Sequence, residues 1–233
     1  MSARKLGGRE LKAGVLAALQ LEDSERALAA LGALSARQVV NPLFSFLCSN
    51  DPAVRWRAVT AMGATVARLG SEDLEAARVI MRRMIWQLNE ESGGIGWGLP
   101  EAMGESMARH EGLAEEYAHM LASYIREDGN LLEHVPLQRG ILWGLGRLAR
   151  TRPSFVEEAI PHVKAFLDAE DPPLRGLAAW IMGILRVKSA RGRLEALTVD
   201  GAGVVLYQEW RELPCTVGDL ARQALAALNE TPG

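Results

Sequence analysis

The stretch DPAVRWRAVTAMG, Asp51 to Gly63, returns as DPPLRGLAAWIMG from Asp171 to Gly183. The two copies share Asp-Pro, an aliphatic residue followed by Arg, an Ala four positions after that aliphatic, and a closing Met-Gly. Two weaker copies fit without gaps, IGWGLPEAMG from Ile95 to Gly104 and LQRGILWGLG from Leu137 to Gly146. The closing glycines Gly63, Gly104, Gly146 and Gly183 stand 41, 42 and 37 residues apart, the period of a two-helix repeat.

Each strong copy starts a helix. Asp51 and Asp171 have the short acceptor side chain of an N-cap, and proline follows at the first helical position, where a missing N–H does no harm. Ahead of the second repeat helix, Ala77, Ile80, Met81, Met84, Ile85 and Leu88 recur at helical spacing, so an amphipathic first helix precedes it. Ser154 with Glu157 reads as a capping box for another such helix, and Pro161 inside it predicts a kink. Six helix pairs follow, at roughly 9–34, 36–69, 72–110, 113–150, 154–187 and 189–229. The pair within residues 1–34 is short and poorly matched, as a capping repeat is. Residues 200–216, with Val204, Val205, Leu206 and Tyr207 after two glycines, predict a small hairpin before a terminal helix at 217–229, capped by Thr216 and Asp219. With no linker composition anywhere, residues 1–233 read as one all-α domain.

Asp51, Pro52, Val54, Arg55, Ala58, Ala61, Met62 and Gly63 resemble the HEAT-repeat family, whose second helix commonly reads Asp-Pro-x-Val-Arg-x-x-Ala-x-x-Ala-Leu-Gly. The whole chain looks most similar to the short bacterial HEAT-like proteins grouped with phycobilin-lyase repeats. That resemblance implies a right-handed α-solenoid whose usual work is to hold another macromolecule. It brings no catalytic residues with it.

Composition narrows the function. The chain is 48% hydrophobic with a formal charge of -3, which argues against the broad positive field of a non-specific nucleic-acid binder. No apolar run reaches the length of a membrane span or a signal-peptide core, so a cytoplasmic protein is expected. Cys48, Cys215 and the four histidines form no metal-ligand spacing, so no metal or cofactor is expected. Of the 26 cationic side chains 22 are Arg, which fits recognition by planar guanidinium groups and equally a codon bias.

The repeat also separates structural positions from spare ones. Val54, Ala58, Ala61 and Met62 share one side of their helix, and the opposite side carries Trp56, Arg57, Thr60 and Ala64. Carried through the gapless register, that spare face gathers Trp97, Glu101 and Glu105, then Arg139, Trp143 and Arg147, then Trp180. Four of the six tryptophans fall on it. Two readings stay open: the indoles form a binding surface rich in Trp and Arg, or they fill space between adjacent second helices. Glu101 and Glu105, one turn apart, read as solvated or satisfied by Arg139 or Arg147 in preference to an acid/base pair. Arg139 is also placed to stack as a cation between Trp97 and Trp143.

The irregular stretch NEESGGIGWGLPE, Asn89 to Glu101, lacks the Lys-Ser/Thr of a phosphate loop and follows no strand. By register Ile95 begins a helix and Trp97 lies on it, leaving Asn89, Glu90, Glu91, Gly93 and Gly94 as a loop on the edge of the array, a candidate for partner contact. The leading expectation is therefore a non-catalytic scaffold that holds a protein or peptide on this face and its loop edge. Two alternatives stand beside it. Trp97, Glu101, Trp143 and Trp180 are loosely similar to the groove of HEAT-like alkylpurine DNA glycosylases, and the phycobilin-lyase resemblance implies a lyase or chaperone for a tetrapyrrole.

Overall fold

In the computed structural model, which describes residues 7–90 and 96–230, both Asp-Pro signals start helices. The Asp51 carboxylate accepts from the backbone N–H groups of Ala53 at 2.9 Å and Val54 at 3.3 Å, and that of Asp171 from Leu174 at 3.1 Å. The chain runs α1 (Gly8–Leu19), α2 (Ser24–Gly32), α3 (Ala36–Leu47), α4 (Pro52–Glu72), α5 (Leu74–Leu88), α6 (Leu99–Arg109), α7 (Glu111–Ser123) and α8 (Val135–Ala149). It continues through 3₁₀ segments flanking α9 (Ile160–Ala165) to α10 (Pro172–Ile184), α11 (Arg191–Leu197), β1 (Gly203–Gln208), β2 (Arg211–Thr216) and α12 (Val217–Asn229). The fold is a helical-repeat solenoid with a two-stranded hairpin near its C-terminal end.

Successive second helices α4, α6, α8, α10 and α12 pack side by side, and α3, α5, α7, the 153–168 segment and α11 form the other layer. Buried apolar side chains make one continuous cluster, from Val15 to Leu228, that joins the two layers and the hairpin. The closing glycine explains how the inner row approaches so closely: a Cβ on Gly104 would lie 2.4 Å from the Gly144 Cα, and one on Gly146 would lie 2.1 Å from the Trp180 ring. A larger residue would force adjacent second helices apart.

Two local expectations fail. Ser154 and Glu157 make no capping box, because residues Pro153–Ala159 form a 3₁₀ helix and Arg152 offers no side-chain cap. Pro161 lacks an N–H and its ring conflicts with the carbonyl four residues back, so α-helix is confined to Ile160–Ala165. The second failure is at α6. This helix starts at Leu99 and not near Ile95, which lies outside the described residues; Trp97 sits in the preceding turn. Without an Asp-Pro start, Gly98 adopts φ 72° against Leu47 and sets the first turn. By contrast, Thr216 and Asp219 form the predicted capping box, with both reciprocal bonds present.

Candidate functional site

The hairpin packs back onto the helices. It crosses the row of second helices and covers much of the spare face with its own aromatic side chains. Tyr207 stacks on Trp56, with ring centroids 4.8 Å apart and planes 7° from parallel, and its phenol is hydrogen-bonded to the Thr60 hydroxyl at 3.2 Å. Burial pushes that phenol well above its ordinary pKa. Trp143 donates its indole N–H to the Tyr207 carbonyl at 2.9 Å and packs on Trp56 at 5.0 Å. At the tip, Trp210 donates its indole N–H to the Leu21 carbonyl at 2.9 Å, with the Arg57 guanidinium 5.6 Å from its ring centre.

The inner face is thus packed, though against neither water nor only its neighbouring helices. Trp143 is 4% exposed and Trp180 9%, while Trp56 is half-buried beneath Tyr207. Trp97 alone of the four is open, at 38%, with the His134 ring set edge-on at 5.9 Å. Sequence reasoning found the hairpin and missed its destination. One available signal was Trp210 itself, since the tip of a two-residue hairpin favours Asn-Gly and tolerates a large apolar side chain only when that side chain is anchored.

The two glutamates part company. Glu105 is 2% exposed and fully satisfied: the Arg109 Nε donates to one oxygen at 2.6 Å and the Arg147 Nε to the other at 2.5 Å. Arg147 thus has the role foreseen for it. Arg139 does not. Its guanidinium makes a two-point ion pair with Asp171, the N-cap of α10, instead of reaching Glu101 or stacking between indoles.

Glu101 is left with an oxygen, Oε2, that has neither solvent contact nor a hydrogen-bond partner. Its carboxylate lies against Gly140, where a Cβ would come within 2.7 Å of it. Burial pushes its pKa up to about 7, with partial relief from its own backbone N–H and from the nearby Arg55 charge. This group borders a cavity of ≈ 360 Å³ walled by Trp56, Trp97, Trp143, Leu177 and the base of β1. At the opening, Trp97 and Val205 expose apolar surface, 38% and 53% respectively.

The loop residues contribute unequally. Asn89 caps α5, its amide donating to the Ile85 carbonyl at 2.9 Å and the Tyr124 hydroxyl at 3.0 Å. Glu90 is half-buried beside it, and Glu91, Gly93 and Gly94 lie outside the described residues. In the next connection Asp128 pairs with Arg126 at 2.9 Å within a series of turns. Among the described residues no cluster of three or more metal-ligating side chains occurs, and no helix is long and apolar enough to cross a membrane.

No protein-family model and no curated protein matches the chain. Among solved structures it is similar to an engineered protein from a structural-genomics consortium, with a TM-score of 0.52 and 13% identity over 94% of this chain and 96% of that one. A second engineered protein from the same consortium matches with a TM-score of 0.52 and 15% identity over 97% of this chain and 62% of that one. At such identities the likeness shows the fold alone, a helical-repeat solenoid.

Proposed function

We propose that this chain is a non-catalytic interaction protein that seats a cationic side chain of a partner protein or peptide in the Glu101 cavity. The observation that carries the reading is the Glu101 Oε2 atom, buried and unpartnered at an aromatic-walled cavity. A carboxylate held there destabilises the fold, and perturbed ionisable groups of this kind concentrate at functional sites. Trp56, Trp97 and Trp143 line the cavity together with Glu101, a combination that favours an ammonium or guanidinium group. Arg55, bordering the same cavity, offers donors to backbone carbonyls of the bound segment. The exposed Trp97 and Val205 supply apolar surface for the flanking residues.

The cavity is near the lower bound of small-molecule sites, so it suits one side chain better than a tetrapyrrole. Duplex DNA fits less well, because the hairpin lies across the face and Arg139, which lines the same cavity, is already paired to Asp171. Affinity for DNA rests on cations free to meet phosphate.

Short peptides that differ only in carrying one Lys, one Arg or one Gln test the proposal through tryptophan fluorescence. The Lys or Arg peptide is expected to bind saturably, Trp97→Ala to weaken it about fivefold, and Glu101→Gln to remove the preference over Gln. Equal response to all three peptides would contradict it.

A further inference from the structure

A second cavity, of ≈ 290 Å³, lies along the other side of the hairpin and shares Trp143 and Tyr207 with its surroundings. Its chemistry is the reverse of the first. Three guanidiniums line it, from Arg109 on α6, Arg147 on α8 and Arg150 at the end of α8.

Glu105 holds the first two in place by accepting from each Nε, so neither Arg109 nitrogen of the Nη pair is engaged in that contact. Arg147 adds only a long 3.5 Å bond from Nη2. Arg150 has still less: among the described residues its one ionic contact is with Glu209 at 4.0 Å, and that glutamate side chain is 85% exposed at the hairpin tip. Three positive charges therefore face two negative ones, and the outer of the two, Glu209, is an exposed competitor that meets Arg150 at 4.0 Å. Trp180, pinned against Gly146, gives the same cavity a flat apolar wall.

We infer that this cavity binds an oxyanion, the carboxylate or phosphate group of a ligand, with Arg150 and the free Nη groups of Arg109 and Arg147 as donors. Guanidinium forks match both groups geometrically, and a donor-rich cavity with a charge surplus favours an anion over a neutral guest. Glu209 marks the entrance: its carboxylate near Arg150 is the chain's own weak substitute for the ligand. The inference stands independently of the Glu101 proposal, since the two cavities differ in charge and in the residues that would bind.

Titrating the full chain with sodium phosphate, and separately with sodium acetate, at ionic strength held constant with sodium chloride, tests it by NMR at the indole N–H signals of Trp143 and Trp180. Saturable shifts are expected with at least one anion; phosphate alone points to a phosphate ester, acetate alone to a carboxylate, and both to a general oxyanion site. Arg150→Ala, at a side chain with little part in the fold, should weaken binding about tenfold. Glu209→Gln should tighten it severalfold by removing the competing carboxylate. The inference is overturned by non-saturating shifts with both anions, or by equal affinity in wild type, Arg150→Ala and Glu209→Gln.

Discussion

Replacing Glu101 by glutamine is expected to make the protein more stable at pH 8, by about 3 kcal/mol, even though the residue lies at the proposed binding site. The reason is the difference between its two environments. In the unfolded chain this carboxyl ionises near its ordinary value of 4.5, and in the fold near 7. Between those pH values the native state holds a proton that the unfolded state has shed, so stability falls as pH rises through the window. Above pH 7 the whole penalty is present. Glutamine is never charged, so urea melts of Glu101→Gln and wild type should coincide near pH 4.5, diverge through pH 7, and differ most at pH 8. A glutamine variant less stable than wild type at pH 8 would mean that Glu101 has a partner in the fold.

The second large effect is expected at the hairpin tip, where Trp210→Ala should destabilise the protein by about 3 kcal/mol. Trp210 is 4% exposed, and its indole ties the C-terminal hairpin to the connection after α1. The backbone there works against itself: Glu209 has φ 48° and Trp210 φ 70°, left-handed values that neither residue type favours. Turn chemistry alone would ask for Asn-Gly. Combining Glu209→Asn with Trp210→Gly relieves the backbone and removes the anchor, so the net sign shows which effect wins. Loss of stability in thermal melts, with Trp56 fluorescence moving toward that of an exposed indole, is the expected outcome. A gain in stability would show that turn strain, and not the anchor, dominates the tip.

The solenoid was legible because its determinants are local and repeated. Asp51, Pro52 and Gly63 state a helix start and a close approach within thirteen residues, and the second copy states them again at Asp171. The hairpin was legible from Val204 to Tyr207, and the terminal helix from Thr216 and Asp219. What period and register do not carry is where a tertiary insertion lands. Tyr207 meets Trp56 and Thr60 across about 150 positions of chain, and Trp210 meets Leu21 across 189. The same limit governs the site. The register placed Glu101, Trp143 and Arg139 on one face, but their chemistry was decided by neighbours outside the pattern: Asp171 took Arg139, Arg147 took Glu105, and Glu101 kept one oxygen without a partner. At Trp97 the register itself slipped, because a gapless alignment ignores the Gly98 turn that delays α6.

The central claim, that Glu101 is held with one buried oxygen unpartnered so as to receive a cation, is tested most directly by following its side-chain carboxyl through a pH titration by carbon-detected NMR, with and without a saturating single-lysine peptide. The expected midpoint is about 7 in the free protein, and the peptide, by binding the ionised form, should draw it down by at least a unit. A midpoint near 4.5 in the free protein, or one near 7 that the peptide leaves in place, would contradict the claim.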